Sequence, residues 1–306
     1  MEPASDTPTS DALNAAERPQ NFPLAAALFL FAMVFFIVMD AMAKWLTNEL
    51  NVIMIVWGRY MAQTLILIVV FGLSFPRRLK TGHLNLQVAR SILLLGATFF
   101  FFAGLKFLPL SETTAIFFVA PLVVVALAGP MLGEKIGTLR WGAVGVGFCG
   151  MLLIQQPGTA TFQWASLLPL AAAACYAFNQ ITTRKVTAGD SATTTLIFTA
   201  LAGTVLISLV VPFFWETPTW KQATILLGMG AVGGIGHFCM ILALARAPAS
   251  ALAPLDYSSL IWAALIGVLV FQESLPPMTL LGTAVIAGAG LFIMWREKKV
   301  KRLPNQ

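Results

Sequence analysis

Charged residues are scarce in this chain. Only 10% of its 306 residues are Asp, Glu, Lys or Arg, and 58% are apolar, whereas a soluble domain carries about 25% charged and 45–50% apolar residues. Apolar runs near the roughly 20 residues needed to cross a bilayer recur along the whole length. The composition therefore excludes a soluble globular protein. It predicts an integral membrane protein, with the lipid bilayer as a partner.

Residues with catalytic or metal-binding chemistry are also few. The three cysteines lie inside apolar runs without metal-ligand spacing, and there are only two histidines. The sequence has no HExxH, GxSxG, paired-Asp or Walker pattern. We therefore predict no metal site, no cofactor and no enzymatic activity. An intramembrane enzyme is the disfavoured alternative from another class. A channel is disfavoured too, because no pore-lining ring of like residues repeats across the apolar runs.

The apolar runs predict an all-α fold with ten transmembrane helices. Short connections between them leave no room for a soluble domain. The predicted helices cover residues 23–47, 52–74, 86–106, 112–132, 138–155, 164–184, 191–214, 221–244, 249–271 and 277–295.

One pattern occurs twice in the chain. Residues 109–153 and 248–293 both begin with a proline, continue through an apolar run to a glutamate, and end in a glycine-rich apolar run. The offset between the copies is 139 or 140, and it also relates Gly96 to Gly236. Each half then has five helices, and an odd number places the halves in opposite orientations. The fold is therefore predicted to be two inverted five-helix repeats, which is typical of secondary transporters. The marks of the repeat are Pro109, Glu134, Pro248 and Glu273.

The duplication divides the chain into four parts. Residues 1–21 are predicted to be a disordered tail, 22–156 the first repeat, 157–295 the second, inverted repeat, and 296–306 a basic tail. The first part lacks the basic start and short apolar core of a signal peptide.

Basic residues are concentrated at one set of helix ends. Fifteen of the 19 lie at the ends that include both tails, so both termini are predicted to be cytoplasmic. The positive charge then reflects topology and anionic lipid rather than nucleic acid.

The segments LGEKIGTLRWGAVGVGFCGMLLI (132–154), VFQESLPPMTLLGTAVIAGAGLFI (270–293) and RAPAS (246–250) resemble the EamA-type branch of the drug/metabolite transporter superfamily. The resemblance covers about residues 22–295. It implies a bacterial inner-membrane carrier of amino acids, related metabolites or toxic organic compounds, many of them moved outward. Other members take up riboflavin or S-adenosylmethionine, and the VMDAMAKWL segment (38–46) keeps that branch open. Gln272 departs from the pattern, which usually has glycine there.

The leading prediction is a secondary transporter that works by alternating access. It would export neutral or aromatic amino acids, related small metabolites or toxic compounds across the bacterial inner membrane. The alternative is an uptake carrier for a metabolite such as riboflavin or S-adenosylmethionine. The sequence specifies neither the substrate nor the oligomeric state, and protons are a candidate coupling ion.

A substrate cavity is predicted near the midplane between the halves. Aromatic and hydrogen-bonding side chains in the predicted helices could line it, and their mixture suits a ligand with an apolar body and a polar or zwitterionic head, such as a neutral amino acid. The candidates are Tyr60, Gln63, Phe99, Tyr176, Asn179, Gln180, Tyr257, Ser258, Ser259 and Trp262.

Ionisable residues inside membrane helices are functional candidates by default. Asp40 and Lys44 lie four apart on one helix face, and Arg59 reaches a similar depth on the next helix. The three could form an outer gate. The alternative is a static pair that lets a long helix end in the interface.

A second charged group is predicted near the inner side. His237 and Asp256 fall at comparable depth and could form an inner gate or a proton-coupling element, because a histidine beside a carboxylate titrates near neutral pH. The alternative for His237 is a satisfied packing role. For Glu134 and Glu273 a structural role is favoured, since each sits at a helix end where a carboxylate accepts from free N–H groups.

Overall fold

The computed structural model is helical throughout its described part, which confirms the all-α prediction. The residues that it describes are 22–75, 79, 81–132, 138–159, 163–186, 192–244, 246, 252 and 255–301.

In the described residues, six α-helices belong to the first repeat and five to the second. The first six are α1 (Phe22–Leu46), α2 (Val52–Phe71), α3 (Leu84–Leu105), α4 (Leu110–Phe117), α5 (Ala120–Leu132) and α6 (Thr138–Gln155). The other five are α7 (Leu167–Val186), α8 (Ala192–Ser208), α9 (Trp220–Leu244), α10 (Ser258–Phe271) and α11 (Pro277–Lys301). Together α4 and α5 form one membrane span, so the bundle has ten. Short 3-10 turns extend α2 and follow α8, and α11 continues beyond its predicted end at residue 295.

The outer surface of this bundle is apolar. Val69, Phe213 and Trp220 are 82%, 84% and 89% exposed, which water would penalise and hydrocarbon would not. Within the residues that the structure describes, five helical segments are long and apolar enough to cross a membrane by themselves. The shorter apolar helices complete the bundle. The chain is thus an integral membrane protein.

Two contacts join residues to their own repeat equivalents. Thr64 Oγ1 in α2 lies 2.8 Å from Thr204 Oγ1 in α8, and these residues are 140 positions apart. The rings of Phe118 and Tyr257, which are 139 positions apart, have centroids 5.1 Å from each other. A residue can touch its own equivalent only close to the axis that relates the two repeats. These contacts therefore mark the pseudo-two-fold axis of the inverted repeat.

Helices α6 and α11, the last of each repeat, pack backbone against backbone. A Cβ atom added at Gly150 would lie 2.9 Å from the carbonyl oxygen of Gly282, and one added at Gly282 would lie 2.5 Å from that of Gly150. Small residues permit this kind of approach in membrane bundles, where close van der Waals packing drives helix association. The two glycines thus hold the repeats together at this crossing.

The helix predicted at 112–132 is broken part-way along. A turn at Phe118 and Val119 separates α4 from α5, because Pro121 has no N–H to donate to the carbonyl of Phe117. The helix predicted at 249–271 has a turn at Tyr257, the repeat equivalent of Phe118. Both predictions of a continuous helix were therefore wrong. The breaks meet at the axis, where interrupted helices expose backbone and side chains to a central site.

Gln272 ends α10 in the left-handed conformation, with φ of +54°. This conformation favours glycine, which explains why glycine is usual here in the family pattern. The turn directs Glu273 back along the helix, so that its carboxylate lies over Gly267.

The largest buried apolar cluster lies where α1 ends and α4 begins. It includes Leu46, Tyr60, Phe102, Leu105 and Leu110. We call this side the Lys44 end. A smaller cluster, which includes Phe29, Met33 and Leu252, lies toward the opposite end, where α1 begins and α9 finishes.

Candidate functional site

A cavity of about 420 Å³ lies between the two repeats. Residues of α1 to α5 line it from the first repeat, and residues of α7, α9 and the segment around α10 line it from the second. Most of its wall is apolar. The polar and charged side chains on the wall are Asp40, Arg59, Thr98, Thr114, Tyr176, Gln180, His237, Asp256 and Ser259.

Repeat equivalents face each other across this cavity. Five equivalent pairs contribute both members to the lining, which places the cavity on the pseudo-two-fold axis. In four of the five pairs one member is apolar and the other polar or charged, so the chemistry of the wall is asymmetric although its backbone is symmetric. The pairs are Phe36 with Tyr176, Asp40 with Gln180, Ala97 with His237, Phe117 with Asp256, and Ala120 with Ser259.

Arg59 projects from α2 and is only 7% exposed. Its Nη1 donates to Thr98 Oγ1 at 2.9 Å. The guanidinium carbon lies 5.0 Å from the ring centroid of Tyr60 and 5.8 Å from that of Phe102, so two aromatic rings stabilise the cation. Its Nε is buried without an acceptor. A buried guanidinium with an unmet donor is costly unless a partner arrives, and the Nε of Arg59 is such a donor.

Asp40 shares the cavity with Arg59. The two are close enough to attract each other, but no ion pair within 4.0 Å joins them. In the part of the chain that the structure describes, the Asp40 carboxylate has no hydrogen-bond or ion-pair partner. An acid and a base thus line the same cavity, each with hydrogen-bonding capacity that no described residue uses.

Lys44 does not join that pair. Its Nζ lies 2.7 Å from Glu273 Oε1 and donates to the carbonyl of Leu108 at 2.6 Å. The predicted cluster of Asp40, Lys44 and Arg59 is thus divided between the cavity and the Lys44 end. Although Lys44 is one turn from Asp40 on α1, its long side chain reaches away from the cavity toward a carboxylate of the other repeat.

Glu273 accepts from the backbone N–H of Leu110 with both oxygens, at 3.1 and 2.9 Å. Leu110 is the first residue of α4 and Pro109 is its N-cap, so the carboxylate stabilises the start of that helix. Glu273 is in the second repeat, whereas α4 is in the first. The carboxylate therefore caps a helix of the other repeat and not the helix that follows it in the chain. Two repeat marks, Pro109 and Glu273, therefore meet, whereas Glu134 and Pro248 lie outside the described residues.

His237 and Asp256 line the cavity without contacting each other. His237 Nδ1 lies 2.8 Å from the carbonyl oxygen of Gly233, and because a carbonyl can only accept, this nitrogen carries the proton. The centroid of the imidazole ring also lies 4.8 Å from that of the Phe36 ring, in an edge-to-face arrangement. The Asp256 carboxylate has no side-chain hydrogen bond or ion pair to any residue that the structure describes. It remains available to a cationic group in the cavity.

Three of the predicted cavity residues do line it, namely Tyr176, Gln180 and Ser259. Gln180 Nε2 donates to the hydroxyl of Tyr176 at 3.1 Å. Their positions on α7 and α10 supply the polar wall opposite Asp40.

The other predicted cavity residues point elsewhere. Tyr60 is buried with its ring against Gly203, and Asn179 donates to the Arg90 carbonyl at 2.7 Å. Tyr257 packs against Gly290. The remaining four do not line the cavity either: Gln63 is buried, Phe99 packs on Phe100, Ser258 has an enclosed hydroxyl without a partner, and Trp262 is on the outside.

The prediction missed several lining residues. Phe36 is the repeat equivalent of Tyr176, so the offset of 140 identifies it from the sequence. Phe101 and Phe102 line the cavity in place of Phe99, a choice that depends on the rotation of α3. Thr98 carries no sequence signal, and its importance comes only from its contact with Arg59.

The model of the EamA-like transporter family matches residues 23–156 and 163–295. The chain belongs to this family. Its two matched segments are the two copies of the duplicated half, and the family resemblance inferred from the sequence is confirmed.

Among curated relatives, the chain is 29% identical to the S-adenosylmethionine uptake transporter of Rickettsia prowazekii (strain Madrid E), over 89% of this chain and 92% of that protein. It is 30% identical to the riboflavin transporter of Vibrio cholerae, over 76% of this chain and 79% of that protein. A solved crystal structure aligns with a TM-score of 0.63 at 17% identity, over 90% of this chain and 98% of that one. At this identity, the structural likeness shows the fold alone.

This EamA-like chain is therefore a membrane transporter, as predicted. The relatives' names concern S-adenosylmethionine uptake and riboflavin. They support the uptake alternative better than amino-acid export.

Proposed function

We propose that this chain takes up a charged small metabolite of the S-adenosylmethionine type across the bacterial inner membrane, by alternating access. The observation that carries the proposal is a cavity on the pseudo-two-fold axis. Its wall holds one buried arginine and two carboxyls that form no ion pair with a described residue.

The position of the cavity supports alternating access. Each repeat contributes equivalent residues to the wall, so an exchange of conformations between the repeats would turn the same wall from one side of the membrane to the other. Inverted repeats provide this mechanism because each facing state resembles the other turned over. One central site then serves both directions of access.

We infer that the Lys44 end is closed, because charged side chains of both repeats bridge it. The ion pair of Lys44 with Glu273 connects the end of α1 to the end of α10, and both side chains also bind the backbone of the connection between α3 and α4. With both termini in the cytoplasm, as the basic residues indicate, this closed end faces the outside. The ion pair is then an outer gate.

The charges on the wall support a charged substrate. S-adenosylmethionine carries a carboxylate, an ammonium and a sulfonium, and the wall offers one cation and two carboxyls, Arg59 against Asp40 and Asp256. Asp256 lies toward the end where Leu255 packs with Phe29 and Met33, away from Arg59 and its aromatic neighbours. The wall therefore offers a separate counter-charge for a sulfonium. At about 420 Å³ the cavity is within the roughly 300–1,000 Å³ of small-molecule sites.

Riboflavin is the second candidate. The aromatic rings on the wall suit its flat isoalloxazine ring, and a relative is named for it. Riboflavin has no charge at neutral pH, so it would leave Arg59, Asp40 and Asp256 without counter-charges. For this reason we place it second.

Uptake into proteoliposomes tests these candidates. The purified full-length protein is reconstituted and given labelled S-adenosylmethionine, riboflavin, or neutral and aromatic amino acids, with and without a pH gradient. Saturable S-adenosylmethionine flux is the expected result. Flux of riboflavin alone would establish the second candidate, and flux of amino acids alone would return the function to the amino-acid carrier predicted first. Dependence on the gradient would identify protons as the coupling ion.

A further inference from the structure

We infer that Arg59 and Asp40 together bind the α-amino-acid head group of the substrate, with the carboxylate on Arg59 and the ammonium on Asp40. This inference rests on the proposed function and makes it more specific. It defines the substrate class as metabolites that carry a free α-amino-acid head, and it assigns the selectivity to two side chains.

The guanidinium of Arg59 has N–H donors that no described residue uses. Nη1 is used by Thr98, and Nε is enclosed without an acceptor. Nη2 makes no hydrogen bond to a described residue and is not among the enclosed polar atoms, so a molecule in the cavity can reach it. A carboxylate in the cavity can accept from Nη2, and such a charge-assisted hydrogen bond to arginine is stronger than one between neutral groups.

The surroundings of Arg59 fix it in place. Thr98 holds one end of the guanidinium, and the rings of Tyr60 and Phe102 lie close to it. Tyr60 also bonds to Thr98, at 3.2 Å between their oxygens. An arginine that is held in this way loses little conformational entropy when a ligand binds. Such a group is suited to selective recognition rather than to loose attraction of anions.

Asp40 supplies the second half of the site. It lines the same cavity, it is near enough to Arg59 to interact with it, and it forms no ion pair with any described residue. The carboxylate and ammonium of an amino acid are attached to one carbon. A single head group can therefore meet a cation and an anion of the same wall at once, and each of these charges gains an opposite charge from it.

The repeat comparison supports a ligand role over a packing role. The equivalents of Asp40 and Arg59 in the second repeat are Gln180 and Thr199, both uncharged. The fold therefore accommodates neutral side chains at both positions.

Binding of three compounds to the full chain in lipid nanodiscs tests the inference by calorimetry. The compounds are S-adenosylmethionine, its decarboxylated analogue, and the α-keto analogue in which oxygen replaces the ammonium. We expect S-adenosylmethionine to bind at least about tenfold more tightly than the decarboxylated analogue, the effect of one charge-assisted hydrogen bond. It should also bind more tightly than the α-keto analogue.

Variants assign these differences to residues. In Arg59→Gln the preference over the decarboxylated analogue should fall to near one, while affinity for that analogue itself changes little. Arg59→Lys should keep part of the preference. In Asp40→Asn the preference over the α-keto analogue should be lost. Glu49→Gln is the matched control, because it neutralises a carboxylate that lies outside the cavity and accepts from Gln222, and it should preserve both preferences.

The outcomes separate the inference from the function on which it rests. If the wild-type protein binds and transports S-adenosylmethionine but does not distinguish it from the decarboxylated analogue, the head-group site is wrong and the proposed function stands. The same conclusion follows if Arg59→Gln keeps the full preference. Because the wild-type comparison decides without a variant, poor folding of Arg59→Gln would not leave the question open. If the wild-type protein neither binds nor transports S-adenosylmethionine, the proposed function fails, and the inference with it.

Discussion

The ion pair at the Lys44 end allows a quantitative test of gating. Glu273→Gln removes one charge but keeps a side-chain oxygen that can accept from Leu110. The side chains of Lys44 and Glu273 are 14% and 10% exposed, so the substitution leaves a nearly buried ammonium without its counter-charge. Removing one partner of a buried pair costs about 3–5 kcal/mol. Lys44 keeps its bond to the Leu108 carbonyl, which lowers our expectation to about 2–3 kcal/mol by the same reasoning.

This cost falls on the closed state of the Lys44 end. Every 1.4 kcal/mol is a factor of about ten, so about 2–3 kcal/mol should shift the equilibrium toward opening by roughly 30-fold to 150-fold. The assay is labelling of a cysteine at Thr114, on the cavity wall, in a background without the native cysteines. A membrane-impermeant thiol reagent is applied from the Lys44 side. The labelling rate should rise in Glu273→Gln by at least about tenfold.

Two controls make this result specific. Glu49→Gln alters another carboxylate at the Lys44 end, which accepts from Gln222 and lies outside the cavity, and it should leave labelling unchanged. Changing both Lys44 and Glu273 to glutamine should restore much of the closed population, because no uncompensated charge remains. An unchanged labelling rate in Glu273→Gln alone would refute the gate.

Three further outcomes are expected. Asp256→Asn should lower transport without preventing membrane insertion; wild-type flux with an unaltered response to pH would exclude this carboxyl from coupling. Gly282→Ala should destabilise the protein by about 1–3 kcal/mol through overpacking against α6. Gly142→Ala, at the repeat equivalent, should be nearly neutral because the added Cβ meets nothing within 4 Å. Equal unfolding curves of the two variants in detergent would contradict the close crossing. Thr98→Val should cost about 1.5–3 kcal/mol in unfolding free energy, because a buried arginine loses its acceptor; a stability equal to wild type would show that this hydrogen bond contributes nothing.

The fold was predictable because it depends on patterns that recur. The duplicated segment and the count of five helices in each half imply inversion without any knowledge of side-chain contacts. The helix breaks were harder to predict from the sequence. Pro121 signals a weakness in its helix, but whether a proline bends a membrane helix or interrupts it depends on the neighbours that satisfy the freed carbonyl.

The site was predictable in part. Asp40, Arg59, His237 and Asp256 were identified by the cost of placing ionisable groups in a membrane, and all four line the cavity. Aromatic and amide side chains gave weaker signals. Asn179 satisfies a backbone carbonyl and Tyr257 fills the space beside Gly290. Residue type alone does not distinguish such structural roles, a hydrogen bond to a carbonyl or the filling of space, from ligand binding.

The partner of Lys44 shows a further limit. Helical spacing placed Lys44 beside Asp40, yet its ammonium contacts Glu273 of the other repeat. Spacing along one helix specifies which residues share a face. It carries no information on which element of a distant segment packs against that face.

The hydrogen bond between Thr64 and Thr204 has one more consequence. It joins a residue to its own repeat equivalent, so an exchange of conformations between the repeats converts this bond into itself. Its length is then the same before and after the exchange, while distances between residues that are not repeat equivalents change. Under the proposed alternating access the pair would stay in place while the repeats move, and a distance probe attached there would serve as an internal reference for the other movements of the transport cycle.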